Sequence, residues 1–448
     1  MHCIAKSSLV YQVSPCNASG GVGYSTLILP TRYMSDFNVI IQQRSKHRVA
    51  AERIRGNWQS PVIMGAGTVN TEADPEFCRQ FEVDYKRTIH ASGAAYEERF
   101  MAQYLDGVSS THGALLCSSG MSALLTCLVF SKTRIDSKRP VLADYGLYHE
   151  TKFLLTALFE AERVVYVDLA CPEALIEALE RHQPSLVILE PQRNTAGMEV
   201  LDCALVFREI ERRSSSSMLI IDDSSTFSAP ELVELAAQYG LTEQLLIAAS
   251  LLKLHQYGLD LVASGIIVAA RKQITEFGCL TTCRTHFGTN ISEDAAVMLP
   301  EPNAQLFSDR MAVITRNSAQ MSRDMAKIID DKATVMSPWC NDDAVILAPS
   351  SFSPFFSLSV TGWNNDRYRS FIARAIELAE EQGVLLHAGT SFGFDITRIY
   401  LIESKLEWLT PFLRISPGME EPEMTERLAT LLSLALCGEL CAEKVATE

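Results

Sequence analysis

Leu245-Leu246-Ile247-Ala248-Ala249-Ser250-Leu251-Leu252-Lys253 is an almost unbroken apolar run that ends in an amine. Such a run reads as a strand buried on both faces, the form strands take in a parallel sheet covered by helices. The terminal lysine has two readings. It snorkels to solvent from the end of a strand, or it is a desolvated amine held for chemistry. Burying an ammonium is costly unless it is paired or its pKa falls, and a neutral lysine amine is the nucleophile that forms Schiff bases with carbonyl compounds.

The surrounding chain sets the fold around this strand. From Tyr96 onward, helical and strand patterns alternate: strand 114–117 and helix 121–130, strand 140–143 and helix 148–161, strand 163–167 and helix 172–181, strand 186–189 and helix 204–213, then strands 218–221, 245–249 and 265–269. This succession predicts an α/β fold with a mostly parallel sheet and helices on both faces. After residue 300 the pattern changes to a long polar helix (307–330), a strand pair (344–347 and 355–360), a helix (367–382) and a terminal helix from Pro422, which predicts a smaller α+β C-terminal domain. The expected organisation is an N-terminal extension and arm (1–104), a large domain (105–303) and a small domain (304–448), with a break at the Pro-rich loop Leu299-Pro300-Glu301-Pro302-Asn303. Within the extension, the Gly-rich patch 19–23, a strand at 26–29 and a charged helix near 43–55 carry no readable chemistry.

Composition narrows the function classes. The 448 residues are 47% hydrophobic and 21% charged, enough to bury a large core over two or three domains. A net charge of −15 argues against nucleic acid or an anionic membrane as partner, because both require a basic surface, and favours a small-molecule substrate. No apolar run approaches the roughly 20 residues that span a bilayer. Twelve scattered cysteines and an N-terminus without a basic stretch leading into an apolar core point to a reducing, cytoplasmic setting. Cys279 and Cys283 with His286, and Cys437 with Cys441, share helix-like spacing but lack a second ligand pair, so no metal is expected.

In open α/β sheets the reactive groups gather outside the C-terminal ends of the strands. Cys117-Ser118-Ser119-Gly120-Met121-Ser122 follows a strand and opens a helix; it is either a helix cap or a cradle of N–H groups and hydroxyls for a phosphate. Asp144-Tyr145-Gly146 ends the next strand and offers a ring able to stack on a flat cofactor. Glu190-Pro191-Gln192-Arg193-Asn194 and Leu219-Ile220-Ile221-Asp222 each end a strand with a carboxylate nearby. A buried carboxylate needs a cation, and a protonated pyridine nitrogen is one. In order, these are a phosphate loop, an aromatic, an amide, an aspartate and a lysine: the parts of a pyridoxal 5′-phosphate site.

The residues from about Pro61 to Met424 resemble the cystathionine γ-synthase and γ-lyase family of pyridoxal phosphate enzymes, fold type I, of which this chain would be a divergent member. Ser119-Gly120-Met121 matches the family's phosphate loop, Tyr145-Gly146 its stacking Tyr-Gly, and Glu190 to Asn194 keeps the spacing of its Glu-Thr-Pro-Ser-Asn. Asp222 matches the Asp of Val-Asp-Asn-Thr-Phe, and Ser250-Leu251-Leu252-Lys253 with Asp260 looks like Ser-x-Thr-Lys followed by Asp. Ser391-Phe392-Gly393 and Leu413-Arg414-Ile415-Ser416 are similar to Ser-Leu-Gly and Leu-Arg-Leu-Ser, and Tyr85-Lys86-Arg87 resembles Tyr-Ser-Arg.

The resemblance implies that Lys253 carries the cofactor and moves protons, and that Tyr145 stacks on the ring and takes a proton from the substrate amine. Asp222 would pair with the ring nitrogen, Asn194 with the ring oxygen, and Ser119, Gly120, Met121 and Ser250 with the cofactor. Arg414 would clamp the substrate α-carboxylate, and Ser391, upstream of it, would also contact the substrate. Tyr85 and Arg87 would reach the phosphate in a neighbouring subunit, which implies a homodimer or homotetramer with shared sites.

The departures bear on the reaction. The family's Asn-Pro-Thr after the arm motif is absent, and Leu252 replaces a phosphate-binding Thr. Asp223 competes with Asp222 as pyridinium partner, although Asp222 directly follows the Leu-Ile-Ile strand. Glu150 stands where the family often has Arg near the distal end of the substrate, so it either repels a distal anion or is a solvated first-turn helix residue. The expected function is γ-elimination or γ-replacement on an amino-acid side chain. Alternatives are β-elimination, carbon–carbon bond formation or cleavage, transamination, and a non-catalytic cofactor-binding regulator.

Overall fold

The computed structural model describes residues 91–447 apart from 276–278, 329–332, 338–352 and 404–409. The chain divides into two units, 1–85 and 86–448, and the described residues all belong to the second. The strands expected at 26–29 and 344–347, the helix near 43–55, and Tyr85 and Arg87 lie outside the described residues.

Seven strands make the large sheet: β1 (His112–Cys117), β2 (Val141–Asp144), β3 (Val164–Val167), β4 (Leu186–Leu189), β5 (Met218–Asp222), β6 (Leu245–Ser250) and β7 (Gly265–Ala270). Their order is β1-β7-β6-β5-β4-β2-β3, and β7 alone runs antiparallel to its neighbours. Alternation within the strands explains the two covered faces. Leu246 and Ala248 of β6 join Leu115, Ile188 and Ile220 on one face, whereas Ile247 and Ala249 join Leu116, Leu189 and Ile221 on the other. The first face is covered by α2 (Gly120–Lys132) and α3 (His149–Leu158). The second is covered by α1 (Ala91–Tyr104), α4 (Pro172–His182), α5 (Cys203–Ser214), α6 (Ala229–Gln238) and the start of α7 (Ala304–Ile328). Both faces are covered along the central strands, which is why these read as continuous apolar runs, whereas the edge strand β3 is only partly buried.

The rear half of α7 feeds a second core. There, β8 (Ala333–Met336), β9 (Phe356–Val360), β10 (His387–Ala388), β11 (Arg398–Ile402) and β12 (Phe412–Ser416) form a sheet in the order β10-β11-β12-β9-β8, antiparallel except for β10 with β11. Met321 and Met325 of α7 pack with Tyr368 and Phe371 of α8 (Asn365–Glu381) and Leu428 and Leu432 of α9 (Pro422–Thr447) over this sheet. Two separate cores joined by one 25-residue helix match the expected large α/β and small α+β parts. The helix expected over 148–161 stops at Leu158, because Phe159 turns extended (φ −123°, ψ 149°) to bury its ring. No helix of the described residues is long and apolar enough to cross a membrane.

Candidate active site

The C-terminal ends of β1, β2, β4, β5 and β6 open toward one region, and β12 of the small sheet closes it. At the end of β1, Ser119 leaves the strand in an extended conformation, and its hydroxyl accepts the N–H of Ser122 at 3.0 Å, capping α2. The observed feature is the helix cap, which fixes a turn whose first N–H groups have no partner inside the helix, the arrangement a phosphate would need. Gly120 is required by close packing, since a Cβ there would stand 2.7 Å from the Cβ of Ser250. The loop is thus pressed onto the end of β6, beside Ser250.

The turn after β2 presents Tyr145 with its side chain 44% exposed, its backbone N–H bonded to Val167 O at 2.8 Å. The Lys152 amine bonds the Tyr145 carbonyl at 2.7 Å and lies 5.2 Å from the ring centre. Burial lowers the Lys152 pKa. Glu150, on the exposed first turn of α3, is one residue past His149.

At the end of β4, Glu190 is buried and receives the Tyr148 N–H at 2.6 Å and the Asn194 side-chain amide. Burial, and then the charge of Asp222, hold its carboxyl well above the usual carboxylate range. Asn194 faces both ways, because its side-chain oxygen accepts Arg414 Nη2 at 2.9 Å.

Asp222 ends β5. Its Oδ1 accepts the Ser224 hydroxyl at 2.6 Å and the Ser224 N–H at 3.1 Å. Burial raises its pKa, against the pull of these bonds and of Lys253. The Ser224 hydroxyl also accepts Ser250 N–H at 2.8 Å, which ties β5 to the lysine loop. The neighbouring Asp223 points elsewhere: its Oδ1 accepts the Thr226 hydroxyl at 2.6 Å, and burial raises its pKa to about 7. Of these two aspartates, Asp222 is the one whose charge acts on Lys253.

Lys253 follows β6 by three residues and is partly buried. Its amine donates to the Ser391 hydroxyl at 3.0 Å and lies 5.3 Å from the Phe392 ring centre. Burial and then the Arg414 guanidinium lower its pKa, opposed by Asp222, Asp260 and Glu150. Ser391 reaches it from a left-handed conformation, φ +80°.

Arg414, 4% exposed on β12, donates to Tyr400 OH at 3.2 Å and sits 4.3 Å from the Phe355 ring centre. Its buried Nε has no hydrogen-bond partner among the described residues, so the guanidinium retains donor capacity for an oxyanion. Tyr148, Tyr400 and Phe355 were not expected from sequence; Tyr400 faces Arg414 only through the β11–β12 register. Burial, then Glu150, push the Tyr148 phenol up to about 12.

The structure thus gathers two bonded pairs, Lys253 with Ser391 and Arg414 with Asn194, with the Arg414 charge acting on Lys253, Asp222 and Ser250 joined through Ser224, and the Ser119–Gly120 turn packed on Ser250. This donor set fits pyridoxal phosphate: a helix N-terminus with hydroxyls for the phosphate, an acid for the ring nitrogen, an amine for the aldehyde and a guanidinium for a substrate carboxylate. A glycine that packs the cradle against the lysine strand is the steric counterpart of that fit.

Comparison with solved structures places the chain in a class by fold. It superposes on cystathionine γ-synthase from Xanthomonas oryzae pv. oryzae in complex with cystathionine with a TM-score of 0.62, at 18% identity over 83% of this chain and 90% of that one. For metB from Corynebacterium glutamicum the values are 0.61 and 19%, covering 79% and 87%. CalE6, a methionine γ-lyase from Micromonospora echinospora, gives 0.60 and 18%, covering 78% and 87%. The chain has the fold of the cystathionine γ-synthase and γ-lyase group, fold type I of the pyridoxal phosphate enzymes. No family model matches. In sequence it is similar to the bifunctional enzyme flvA of Aspergillus flavus, 25% identical over 368 residues, which are 80% of this chain and 43% of that protein. The chain therefore spans less than half the length of this curated relative.

Proposed function

We propose that the chain is a pyridoxal phosphate enzyme that eliminates or replaces a leaving group at Cγ of an α-amino acid. The observation that carries this reading is Lys253: a partly buried amine of lowered pKa, bonded to Ser391 and flanked by Arg414. Pyridoxal phosphate, when bound, supplies an electron sink that stabilises negative charge at the substrate Cα. Arg414 binds the substrate α-carboxylate, with its orientation fixed by Asn194 and Tyr400. Lys253, as the cofactor-bearing residue, is then the base that moves protons at Cα and Cβ, and burial, which disfavours its charged form, acts in the direction that task needs. Asp222 would pair with the ring nitrogen, Asn194 with the ring oxygen, and Ser119, Gly120 and Met121 would hold the phosphate. Tyr145 would stack on the ring and take a proton from the substrate amine. Tyr85 and Arg87 complete a neighbouring subunit's site in a cytoplasmic homodimer or homotetramer.

Glu150 supports a narrower substrate class. It lies on the open rim and contributes to the field at Lys253, so the leaving group is neutral or cationic rather than a distal acid. Incubating the purified protein with γ- and β-substituted amino acids, followed by mass spectrometry, tests both points. Conversion of O-acetylhomoserine in preference to O-succinylhomoserine, lost in Lys253→Ala, is the expected result. Turnover retained in Lys253→Ala would end the reading, and preference for the succinyl ester would end the Glu150 assignment.

A further inference from the structure

We infer that Arg193 is a positioning residue for cofactor capture, through a buried ion pair that locks the Tyr145 and Asn194 turns together; this rests on the reading above. Arg193 occupies the Ser position of the Glu-Thr-Pro-Ser-Asn pattern that residues 190–194 resemble, and its side chain is only 3% exposed. It runs under the Tyr145 turn, in space that exists because residue 146 is glycine: a Cβ there would stand 2.5 Å from Arg193 Cγ. The guanidinium meets Asp144 in a two-pronged pair, Nε to Oδ2 at 3.0 Å and Nη2 to Oδ1 at 2.5 Å, and Nη2 also reaches Asp168 at 2.5 Å.

Asp144 is fully buried and spends its remaining capacity on the backbone, accepting Gly146 N–H at 2.9 Å and Leu169 N–H at 3.0 Å. The Gly146 carbonyl in turn accepts Asn194 N–H at 2.9 Å. The turn carrying Tyr145 and the loop carrying Asn194 are therefore joined by the Arg193–Asp144 pair in addition to the Gly146–Asn194 backbone bond, and that pair is the side-chain link buried between them. A planar fork holds such a geometry where a lysine, with one ammonium, does not. Asp144 also needs the cation, since removal of one member of a buried pair leaves an uncompensated charge.

The test is titration of apo-protein with pyridoxal phosphate, read by bound-cofactor absorbance and by near-ultraviolet circular dichroism, for wild type, Arg193→Lys and the double variant Arg193→Ser/Asp144→Asn. The double variant removes both charges together, so it leaves no uncompensated carboxylate at position 144. Melting temperature reports folding separately. Loss of the fork lets the turns shift, and misplacement on the scale of an ångström costs on the order of ten- to a hundredfold. We expect that loss in cofactor affinity in both variants, with a weakened dichroism band, while each remains folded. Wild-type affinity and dichroism in either folded variant would overturn the inference. A wild-type protein that takes up no pyridoxal phosphate would overturn the functional reading and this inference with it.

Discussion

Replacing His255 by leucine should make the protein less sensitive to acid. His255 lies two residues beyond Lys253 and is 3% exposed in a box of rings. Phe307 stacks on it at 4.8 Å, while Phe227 and Tyr104 stand edge-on at 4.3 and 5.0 Å. Neither ring nitrogen has a hydrogen-bond partner among the described residues, and burial pulls the imidazole pKa from 6.5 down to about 3. A base whose folded pKa is depressed is neutral in the native state and binds its proton only on unfolding. Its contribution is therefore intact above pH 6.5 and is lost as pH falls toward 3. Between pH 7.5 and 5 the proton uptake of the unfolded chain costs the native state about 2 kcal/mol.

Asp223, with its pKa raised to about 7, works in the opposite sense over this range, losing stability as pH rises. The comparison is therefore made as wild type minus His255→Leu at each pH, which cancels the carboxylates. At pH 7.5 the substitution removes unpaired polar atoms, worth roughly 1–3 kcal/mol, against lost ring stacking of about 0.5–1.5 kcal/mol per pair. The net change there should be small. Guanidinium denaturation of the two proteins at both pH values measures the difference, which should grow by about 2 kcal/mol in favour of the variant on going to pH 5. Parallel losses in the two proteins would show that His255 is not held neutral.

Three further outcomes follow from the site. Arg414→Lys keeps the charge and loses the fork, so KM for the amino acid should rise by roughly tenfold or more with a smaller change in kcat, as steady-state kinetics would show. Gly120→Ala places a Cβ 2.7 Å from the Ser250 Cβ, and cofactor titration should show weakened uptake without loss of the large-domain fold. Ser224→Ala removes the 2.6 Å bond to Asp222 and the acceptor for Ser250 N–H, so kcat should fall by about tenfold while Arg414-dependent KM stays put.

The large sheet was legible because both its faces are buried. Strands such as Leu186–Leu189 and Leu245–Ser250 announce themselves by composition, and the helices between them by period. Harder to read were the elements whose identity depends on tertiary contacts. Helix Ala229–Gln238 has Pro230 in its first turn, a residue that reads as a breaker unless the start is known. Strands Ala333–Met336 and Arg398–Ile402 are short and only partly buried, and they are specified by their partners in the small sheet.

The site divides the same way. Groups at strand ends, Lys253, Asp222, Asn194 and Ser119, could be named from sequence because sheet topology places them together. Tyr400 opposite Arg414, Ser224 between Asp222 and Ser250, and Arg193 under Gly146 emerge only from register and close packing. The difference between Asp222 and Asp223 is likewise visible only in the structure: one carboxylate bonds Ser224, which holds the Ser250 N–H, and its neighbour turns to Thr226.

The central claim is that Lys253 carries pyridoxal phosphate. The purified protein, supplied with pyridoxal phosphate, should show an absorbance band near ~420 nm that borohydride abolishes. Digestion and mass spectrometry should then place the reduced pyridoxyl group on the peptide containing Lys253. Absence of the band, or a label on another lysine, would contradict the account.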